Sequence, residues 1–257
     1  MISNILLNEN NMEVKHNDAF KFDLIYGDYI YNNMNFDWVD AYWHRLKENS
    51  IFMVQTDDSS FAEMKLKLDS MENSIWINTV IVIQEWGGVP TRAFPRKHDY
   101  VLIYANGKDY YWDSTDIRIP KKTAGTKFDK KGTGTKVPCS VFYDLGNFST
   151  MSKERVKKAN GKNIQWQKPL KLYDRLFTPL TKEGDIILDL FAGVGSVNEW
   201  CLRNRRRCFG FESEKDVFDL SCKRLSGYIT KFGKAGEYTI SSDENIEKYK
   251  MHTISIR

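Results

Sequence analysis

The sequence predicts an α/β protein with a mainly parallel sheet and helices on both faces of that sheet. Six apolar runs have the length of strands, and segments with helical spacing of apolar residues lie between them. This alternation is typical of parallel sheets, because each strand must be followed by a crossover that returns the chain. A glycine turn at residues 189–197 joins one of these strands to a helical segment and supports the same fold class.

The predicted strands are continuous apolar runs, and the predicted helices repeat apolar residues every three or four positions. The strands are 22–26, 51–54, 75–83, 100–104, 186–190 and 208–211. The helices are 36–46, 61–68, 172–180 and 217–225, with one more after the glycine turn. Pro169 precedes the helix at 172–180, where a missing N–H costs nothing. Beyond about residue 230 the signals weaken, with short strands predicted near Tyr238 and Ile254.

The 257 residues suffice for one large domain, or for one domain with an insertion. Residues 113–163 break the alternation of strands and helices with many Lys, Gly, Thr and Ser residues. Within them, 118–136 holds seven basic residues against one acid, Asp129. We therefore expect a domain in two halves, 1–112 and 164–230, separated by a basic insertion at 113–163 and followed by a tail at 231–257.

The overall composition is only mildly basic, with a net charge of +4 and a pI near 8.7. The four cysteines form no C-x-x-C pair and no metal-ligand spacing with the four histidines, so we expect reduced packing residues and no metal site. No apolar stretch approaches the length that crosses a bilayer, and no signal peptide is recognisable. These features predict a cytoplasmic protein.

The glycine turn has the features of a nucleoside-binding loop. The segment Asp189-Leu-Phe-Ala-Gly-Val-Gly-Ser-Val197 follows an apolar strand, and its glycines allow a tight turn that exposes N–H groups to a ligand. Glu212 ends the next strand nineteen residues after Gly193, a spacing at which an acid accepts hydrogen bonds from ribose hydroxyls. The unit predicts a Rossmann-like βαβ fold. The alternative is a glycine turn that only links a strand to a helix.

The same loop favours S-adenosylmethionine (AdoMet) over NAD or FAD as the ligand. A dinucleotide site needs a third glycine close beneath the pyrophosphate. Asn198 occupies that position here, and Glu199 places a negative charge where the phosphates would lie. AdoMet carries a positive sulfonium and no phosphate, so the first two glycines are sufficient.

A second polar segment follows the first predicted strand. We expect that strand to end at Gly27 and to release residues 28–31 at the carboxyl edge of the sheet, where ligands bind in open α/β folds. An exocyclic amino nitrogen is a poor nucleophile because its lone pair is delocalised into the ring. Asp28 can accept its hydrogens and localise that pair, while Tyr31 can stack on a base outside the duplex. Alternatively, Asp28 caps the helix that follows.

Together these segments resemble the amino-group DNA methyltransferases of the permuted β class, the N6-adenine/N4-cytosine family. In that family an Asp/Ser-Pro-Pro-Tyr motif lies N-terminal and the AdoMet motif Phe-x-Gly-x-Gly lies C-terminal, with target recognition between them. Here residues 28–31 and 189–195 occupy those places. Gln167-Lys-Pro-Leu170 is similar to the family's Gln-Lys-Pro motif, and Asn17-Asp18-Ala19 to its Gly-Asp segment. Residues 92–104 and 153–155 match further segments, so that the resemblance covers roughly residues 13–226.

The resemblance implies a circularly permuted, AdoMet-dependent methyltransferase fold with an inserted target-recognition region. Its catalytic residues would be Asp28, Tyr29, Ile30 and Tyr31. Tyr29 and Ile30 stand where the family has two prolines, and each loss costs about 0.4–1 kcal/mol of loop preorganisation without removing a reacting side chain. The implied cofactor residues are Asp18, Asp28, Lys168, Asp189, Phe191, Ala192, Gly193, Val194, Gly195, Ser196 and Glu212.

Basic residues in two regions predict contacts with double-stranded DNA, since cations on loops position a polyanion through its phosphates. The alternative is that these cations are solvated surface residues. The aromatic residues Trp86 and Phe94 lie in the first region and can contribute or simply pack. Relatives of this family often pair, which leaves a homodimer open. The predicted DNA contacts are Arg92, Arg96, Lys97, Lys121, Lys122, Lys127, Lys130 and Lys131.

The leading functional hypothesis is site-specific DNA methylation at adenine N6, in a bacterial or phage-infected cell and in a restriction–modification setting. Asp28 favours adenine, because the first motif residue is Asp in most adenine enzymes of the family and often Ser in cytosine N4 enzymes. A cytosine N4 methyltransferase is the alternative within the family. A weak or inactive homologue that binds AdoMet and DNA, and an RNA or small-molecule methyltransferase, are the alternatives beyond it.

Overall fold

The computed structural model describes residues 2–7, 20–29, 34–84, 88–143, 145, 148, 151–164, 166–232 and 238–241. Its strands are β1 (Ile2–Leu7), β2 (Phe22–Asp28), β3 (Leu46–Thr56), β4 (Ile75–Ile83), β5 (His98–Ala105), β6 (Ile119–Pro120), β7 (Thr135–Lys136), β8 (Val141–Phe142), β9 (Ile186–Asp189), β10 (Arg207–Phe211) and β11 (Tyr238–Ser241). Its helices are α1 (Asp37–Trp43), α2 (Phe61–Asp69), α3 (Leu170–Phe177), α4 (Ser196–Arg203) and α5 (Lys215–Phe232), with a 3₁₀ turn at Thr178–Leu180.

In the part of the chain that the structure describes, nine strands form the main sheet, in the order β11-β1-β10-β9-β2-β3-β5-β4-β8. Only β5 runs antiparallel to its neighbours, β3 and β4, so the predicted mainly parallel sheet is confirmed. The chain passes from β9 to β10 on one side of the β9–β2 pair, and from β2 to β3 on the other. Ligands bind at such a switch point, where the two connections leave the carboxyl ends of adjacent strands in opposite directions.

Helices cover both faces of this sheet, which explains why its central strands are apolar throughout. Alternate residues of one strand point to opposite faces. In β2, Leu24 and Tyr26 pack with α3, including Tyr173, whereas Ile25 packs with α1, including Trp38. Further helical cover comes from α5, which packs through Phe218 and Leu225 against Leu6 of β1 and Leu202 near the end of α4.

The structure corrects three sequence-based boundaries. The predicted helix 36–46 ends at Trp43, and Leu46 begins β3, because the backbone N–H of Phe22 bonds the carbonyl of Arg45 and draws the chain beside β2. The predicted helix 172–180 ends at Phe177, since Pro179 shortens its last turn to 3₁₀. Strand β1 was not predicted, because its polar residues 3 and 4 interrupt the apolar run.

The tail and the insertion follow the predictions in part. Strand β11 forms where a short strand was expected near Tyr238, while the strand expected near Ile254 lies outside the described residues. Residues 113–163 contain three two-residue strands, of which β6 and β7 pair with each other. The third, β8, joins β4 at the edge of the main sheet, so part of the expected insertion completes the sheet.

Two expectations from composition can be compared with the described residues. All four cysteines are free thiols, and Cys201 and Cys208 are buried in packed regions, but the expected packing role is wrong for Cys139, which is exposed. Across the ranges that the structure describes, no helix combines the length and apolar character needed to span a bilayer.

Candidate active site

The two glycines of the loop after β9 take left-handed backbone angles for different physical reasons. Gly193 has φ +52° and Gly195 has φ +71°. A Cβ on Gly195 would lie 2.2 Å from the Oγ of Ser221 in α5, so this glycine lets the loop pack against that helix. Among the residues that the structure describes, and apart from its own chain neighbours, a Cβ on Gly193 would meet no heavy atom within 4 Å. Gly193 therefore faces open space, and its small size is not explained by packing within the protein.

Glu212 follows β10 and lies beside the glycine loop. The backbone N–H of Ala192 donates to the carbonyl of Phe211 at 2.8 Å, which fixes the loop to the end of β10. Burial raises the pKa of the Glu212 carboxyl, and hydrogen bonds from the backbone of Glu214 and Gly193 oppose that rise. The structure thus brings the predicted ribose acid next to Gly193. The ribose contact itself stays a prediction.

Asp189 is the last residue of β9 and is buried beneath the loop. Its Oδ1 accepts a hydrogen bond from the N–H of Phe191 at 3.2 Å. The pKa of this carboxyl is raised to about 8, chiefly by burial; the hydrogen bond from Phe191 opposes the rise, and the negative charges of Asp28 and Glu212 contribute to it. Asp189 therefore lies close enough to Asp28 and to Glu212 for their charges to change its pKa.

The predicted strand end at Gly27 is wrong by one residue, because Asp28 is still the last residue of β2 and pairs in register with Gln55 of β3. Its side chain is 18% exposed, and its Oδ1 and Oδ2 lie 3.3 and 3.1 Å from the Nζ of Lys168. Burial raises the pKa of Asp28, the Lys168 ammonium opposes that rise, and the negative charge of Asp99 adds to it. The alternative in which Asp28 caps the next helix receives no support, because α1 begins at Asp37 without a side-chain cap bond.

Tyr29 is a buried packing residue. Its ring lies 5.4 Å from Trp38 and 5.8 Å from Phe191, between ring centroids, and its hydroxyl donates to the carbonyl of Asn35 at 2.5 Å. A Cβ on Gly27 would lie 3.1 Å from Trp38 and 3.3 Å from Phe191. The segment around Asp28 therefore packs directly on the aromatic residue of the glycine loop. A catalytic contact by the Tyr29 side chain remains a prediction, which this packing does not favour.

Lys168 points toward the end of β2 through the anchoring of its neighbours. Gln167 donates to the carbonyl of Glu154 at 2.7 Å and accepts from the N–H of Val156 at 2.8 Å. The Glu154 carboxylate in turn accepts from the N–H of Leu170 at 2.8 Å, at the start of α3. The two segments singled out by the resemblance, 153–155 and 167–170, hold each other in place. The predicted contact of Lys168 with the cofactor stays a prediction beside its observed contact with Asp28.

Asp99 is a buried carboxylate that the sequence analysis did not identify as a site residue. It lies in β5 and is 1% exposed. Its Oδ2 accepts from the Nε2 of Gln55 at 2.9 Å and from the Nε2 of Gln84, and lies 3.4 Å from the Nζ of Lys168. No one-dimensional signal marks this residue, because an acid at the start of an apolar strand usually faces solvent.

Glu199 in the first turn of α4 does not present a free charge to the loop. Its carboxylate pairs with Arg203 and with Arg224, whose Nε lies 2.5 Å from Oε2. Arg224 of α5 also donates to the carbonyl of Val194 at 3.2 Å and to the Oγ of Ser196 at 2.9 Å. Arg224, which the sequence analysis missed, therefore braces the loop. The side chains of Val194 and Ser196 are buried, so a cofactor contact there would have to come from the backbone.

Some predicted residues cannot be placed. Asp18, Ile30 and Tyr31 lie outside the described residues, as does Trp86. The roles predicted for Asp18, Ile30 and Tyr31 therefore remain predictions.

The predicted DNA contacts differ in exposure. Arg92 is exposed, and the hairpin that carries it closes where the N–H of Gln84 bonds the carbonyl of Lys97 at 2.7 Å. Arg96 pairs with the buried Asp57. In the insertion, the Nζ of Lys121 lies 2.6 Å from Asp129 and stabilises the loop. Of the remaining predicted cations, Lys97 is half-buried, and the other four, Lys122, Lys127, Lys130 and Lys131, are exposed.

The donors and acceptors at this edge fit a nucleoside ligand with a positive charge and no phosphate. Open space above Gly193 leaves room for a ligand against the backbone, and the Glu212 carboxylate lies beside it. Asp28 and Glu212 supply two carboxylates, Asp189 adds a third when it is deprotonated, and the Lys168 ammonium is paired with Asp28. A pyrophosphate would be repelled by this set, whereas a sulfonium or an ammonium group would be attracted.

Comparisons with known proteins identify the family of the chain. A family model described as DNA methylase, of the N6/N4 methyltransferase type, matches residues 21–223. The Type II methyltransferase M.HpaI of Haemophilus parainfluenzae is 24% identical over 243 residues, which are 87% of this chain and 74% of that protein.

Solved structures share the fold. The crystal structure of the M1.HpyAVI–SAM complex has a TM-score of 0.62 and 18% identity, and the match covers 86% of this chain and 100% of that one. The PvuII DNA methyltransferase, described as cytosine-N4-specific, has a TM-score of 0.60 and 14% identity, with 81% and 82% covered. Because the family model spans most of the sequence, the chain belongs to the N6/N4 DNA methylase family.

Proposed function

We propose that this protein transfers a methyl group from AdoMet to the exocyclic amino nitrogen of a base that has left the DNA duplex, with adenine N6 as the preferred target. The observation that carries the proposal is the junction of the two predicted motifs. Asp28 is close enough to raise the pKa of Asp189, and Tyr29 packs on Phe191. Two segments about 160 residues apart in sequence therefore form one site at the switch point of the sheet.

AdoMet is the methyl donor of this protein, and when bound it supplies an electrophilic methyl group on a positively charged sulfur. We assign its nucleoside part to Glu212 and the backbone at Gly193, which faces open space. Phe191 borders both that loop and the segment around Asp28. Asp189 lies beneath the loop and can attract a positive group once its carboxyl is deprotonated, and Asp18 completes the assignment by resemblance.

Asp28 has the position and environment to activate an amino group. An ionised carboxylate is only an acceptor, so its two oxygens can take hydrogen bonds from an –NH₂ group but cannot donate to a ring nitrogen. Its partial burial strengthens such a bond, because few water molecules compete for the oxygens. A backbone carbonyl of residues 29–30 would accept the second amino hydrogen. The proton released after methylation can leave through Asp28 to water.

The replacement of the two family prolines does not leave the described part of this loop loose. The N–H of Tyr29 donates to the carbonyl of Gln55 at 2.9 Å, and the ring of Tyr29 is held by Phe36, Trp38 and Phe191. These contacts supply by packing part of the rigidity that proline supplies by fixing φ. We therefore propose an active enzyme rather than an inactive homologue, with Tyr31 stacking on the target base.

Cytosine N4 is the second candidate target. The PvuII neighbour is cytosine-N4-specific, and its fold is similar to that of this chain. Both amino groups are attached to aromatic rings and need the same acceptor, so the geometry around Asp28 serves either base. Asp28 itself favours adenine, because the family motif more often begins with Ser in the cytosine enzymes.

We propose that double-stranded DNA lies along the exposed cations at this edge and in the insertion. Arg92 and Phe94 project from the β4–β5 hairpin, and the Phe94 side chain is 97% exposed. Because β4 runs parallel to β2, this hairpin leaves the sheet at the same edge as Asp28. Arg96 and Lys121 already have acidic partners, so we expect smaller DNA contributions from them. A homodimer, which the family resemblance leaves open, belongs to the same proposal.

Transfer of tritiated methyl groups from AdoMet to unmethylated DNA tests the proposed function. We expect the wild-type protein to label DNA, Asp28→Ala to abolish labelling while AdoMet affinity is kept, and Gly193→Val to lose AdoMet binding. RNA offered in place of DNA should stay unlabelled. Full activity of Asp28→Ala would contradict the role of this carboxylate. Absence of labelling by a folded wild-type protein that binds both ligands would favour the inactive homologue.

A further inference from the structure

We propose that Asp99 is a positioning residue for methyl transfer, and that it holds Lys168 between two carboxylates so that Asp28 keeps acceptor capacity for the target amino group. This inference rests on the proposed function, because it concerns the same site. It adds a residue to which neither the motifs nor the family resemblance assigned a role.

The geometry of the cluster supports this assignment. The Nζ of Lys168 lies 3.3 and 3.1 Å from the two oxygens of Asp28 and 3.4 Å from the Oδ2 of Asp99. The side chains of Lys168 and Asp99 are 10% and 1% exposed. One buried ammonium is therefore shared by two carboxylates that come from different strands.

Three hydrogen-bonded side chains fix the orientation of Asp99. The hydroxyl of Tyr26 donates to the Oε1 of Gln55 at 2.9 Å, which leaves the Nε2 of Gln55 to donate to Asp99 at 2.9 Å. The Nε2 of Gln84, at the base of the β4–β5 hairpin, donates to the same oxygen. Each of these two N–H donors replaces a water molecule that burial takes from the Asp99 carboxylate, and together they fix its position beside Lys168.

The charge balance explains why a second carboxylate matters. Asp28 and Lys168 alone would form a neutral pair, in which the ammonium competes with the substrate for the oxygens of Asp28. With Asp99 the cluster carries one net negative charge. That charge faces the position where positive charge develops on the amino nitrogen during methylation. A fixed charge of this kind stabilises a transition state because it needs no rearrangement.

The groups that face Asp28 come from four elements among the described residues. Lys168 precedes α3, Asp99 belongs to β5, Asp189 ends β9, and Tyr173 of α3 has a pKa raised well above its ordinary value by burial and by the charges of Asp189 and Asp28. Asp99 raises the pKa of Asp28 and Lys168 lowers it. Removal of the Asp99 charge should therefore lower the pKa of Asp28, and removal of the Lys168 charge should raise it.

Carbon-13 NMR of aspartate carboxyls in the cofactor-free protein tests the arrangement directly, with the Asp28 signal assigned from Asp28→Asn. We expect Asp99→Asn to lower the pKa of Asp28 and Lys168→Met to raise it. Because Lys168 acts more strongly than Asp99, the double variant should lie between wild type and Lys168→Met. Asp185→Asn removes a half-buried carboxylate at the opposite edge of the sheet and should leave the Asp28 titration unchanged.

Methyl transfer by the same variants supplies the kinetic readout. Asp99→Asn should lower kcat about 10- to 100-fold, with little change in the KM for DNA or in AdoMet affinity, because a misplaced catalytic group costs about this much. Shifts of the Asp28 pKa in the same direction in both variants, or no shift in either, would overturn the inference. If Asp99→Asn is poorly stable, an unchanged Asp28 pKa in Lys168→Met would overturn it alone. A wild-type protein without methyl transfer would instead refute the proposed function and leave the titration result standing.

Discussion

The two glycines of the loop offer a matched pair of substitutions, because they share a backbone conformation but not their surroundings. A side chain in a left-handed conformation costs about 1–2 kcal/mol, so Gly193→Ala should lower the free energy of unfolding by about that amount. Gly195→Ala carries the same strain, and its Cβ would also lie 2.2 Å from the Oγ of Ser221. Overpacking of this kind adds about 1–3 kcal/mol, which gives about 2–5 kcal/mol in total.

AdoMet binding should rank the two variants in the opposite order to stability: Gly193→Ala should lose binding, and Gly195→Ala should keep it. The Cβ of Gly193→Ala enters the open space assigned to AdoMet, whereas that of Gly195→Ala enters the protein. Urea denaturation with and without AdoMet measures both quantities, since a ligand at 100 times its Kd stabilises by about 2.7 kcal/mol. We expect AdoMet to stabilise the wild type and Gly195→Ala but not Gly193→Ala. Full stabilisation of Gly193→Ala by AdoMet, or equal loss of stability in both variants, would refute this reading of the loop.

Two further predictions concern a buried acid and an exposed ring. Burial raises the pKa of Asp189 to about 8, whereas the pKa of an unfolded aspartate is about 4. Between these two pH values the folded protein binds one proton more than the unfolded protein. The folded protein therefore loses stability as the pH rises through that window. The stability of Asp189→Asn relative to wild type should therefore increase by up to about 4 kcal/mol from pH 5 to pH 8 in denaturation without AdoMet, and a constant difference would show that Asp189 is not held neutral. Phe94→Ala should change the free energy of unfolding by less than about 0.5 kcal/mol, because the ring is 97% exposed. If that ring stacks on DNA bases, kcat/KM on duplex DNA should fall about tenfold, and unchanged kcat/KM would exclude such contact.

The central strands and the glycine loop could be predicted because their signals are local. The run at 186–190 is apolar throughout, and Gly193 and Gly195 stand at the spacing of a strand–turn–helix unit. Glu212 could be predicted from distance along the sequence, because one helix and one strand of ordinary length separate it from the loop. Each of these predictions needs only neighbouring residues, and the structure places all of them at one edge of the sheet.

The residues that the sequence did not reveal act through tertiary contacts. Asp99 is a single acid at the start of an apolar strand, and only the convergence of Gln55, Gln84 and Lys168 shows that its carboxylate is buried and paired. Arg224 lies on α5, far along the chain from the loop that it braces. Such pairings depend on which helix covers which strand, and no spacing rule in one sequence contains that information.

The boundary errors have the same origin. Leu46 has helical spacing with Trp43, but its burial beside Phe22 decides that it begins a strand. Apolar residues satisfy a helix pattern and a strand pattern equally well over so short a range. A tertiary contact then decides between helix and strand, and the sequence pattern does not contain that contact.

The nucleosides of DNA from a host that expresses the protein give the most direct measurement of the central claim. Mass spectrometry of the digested DNA should find N6-methyladenine above the background of the same host with an empty vector, and the signal should disappear with Asp28→Ala. N4-methylcytosine in its place would keep the mechanism and change the target base. Methylation on a ring carbon, or equal amino methylation with Asp28→Ala, would contradict the account.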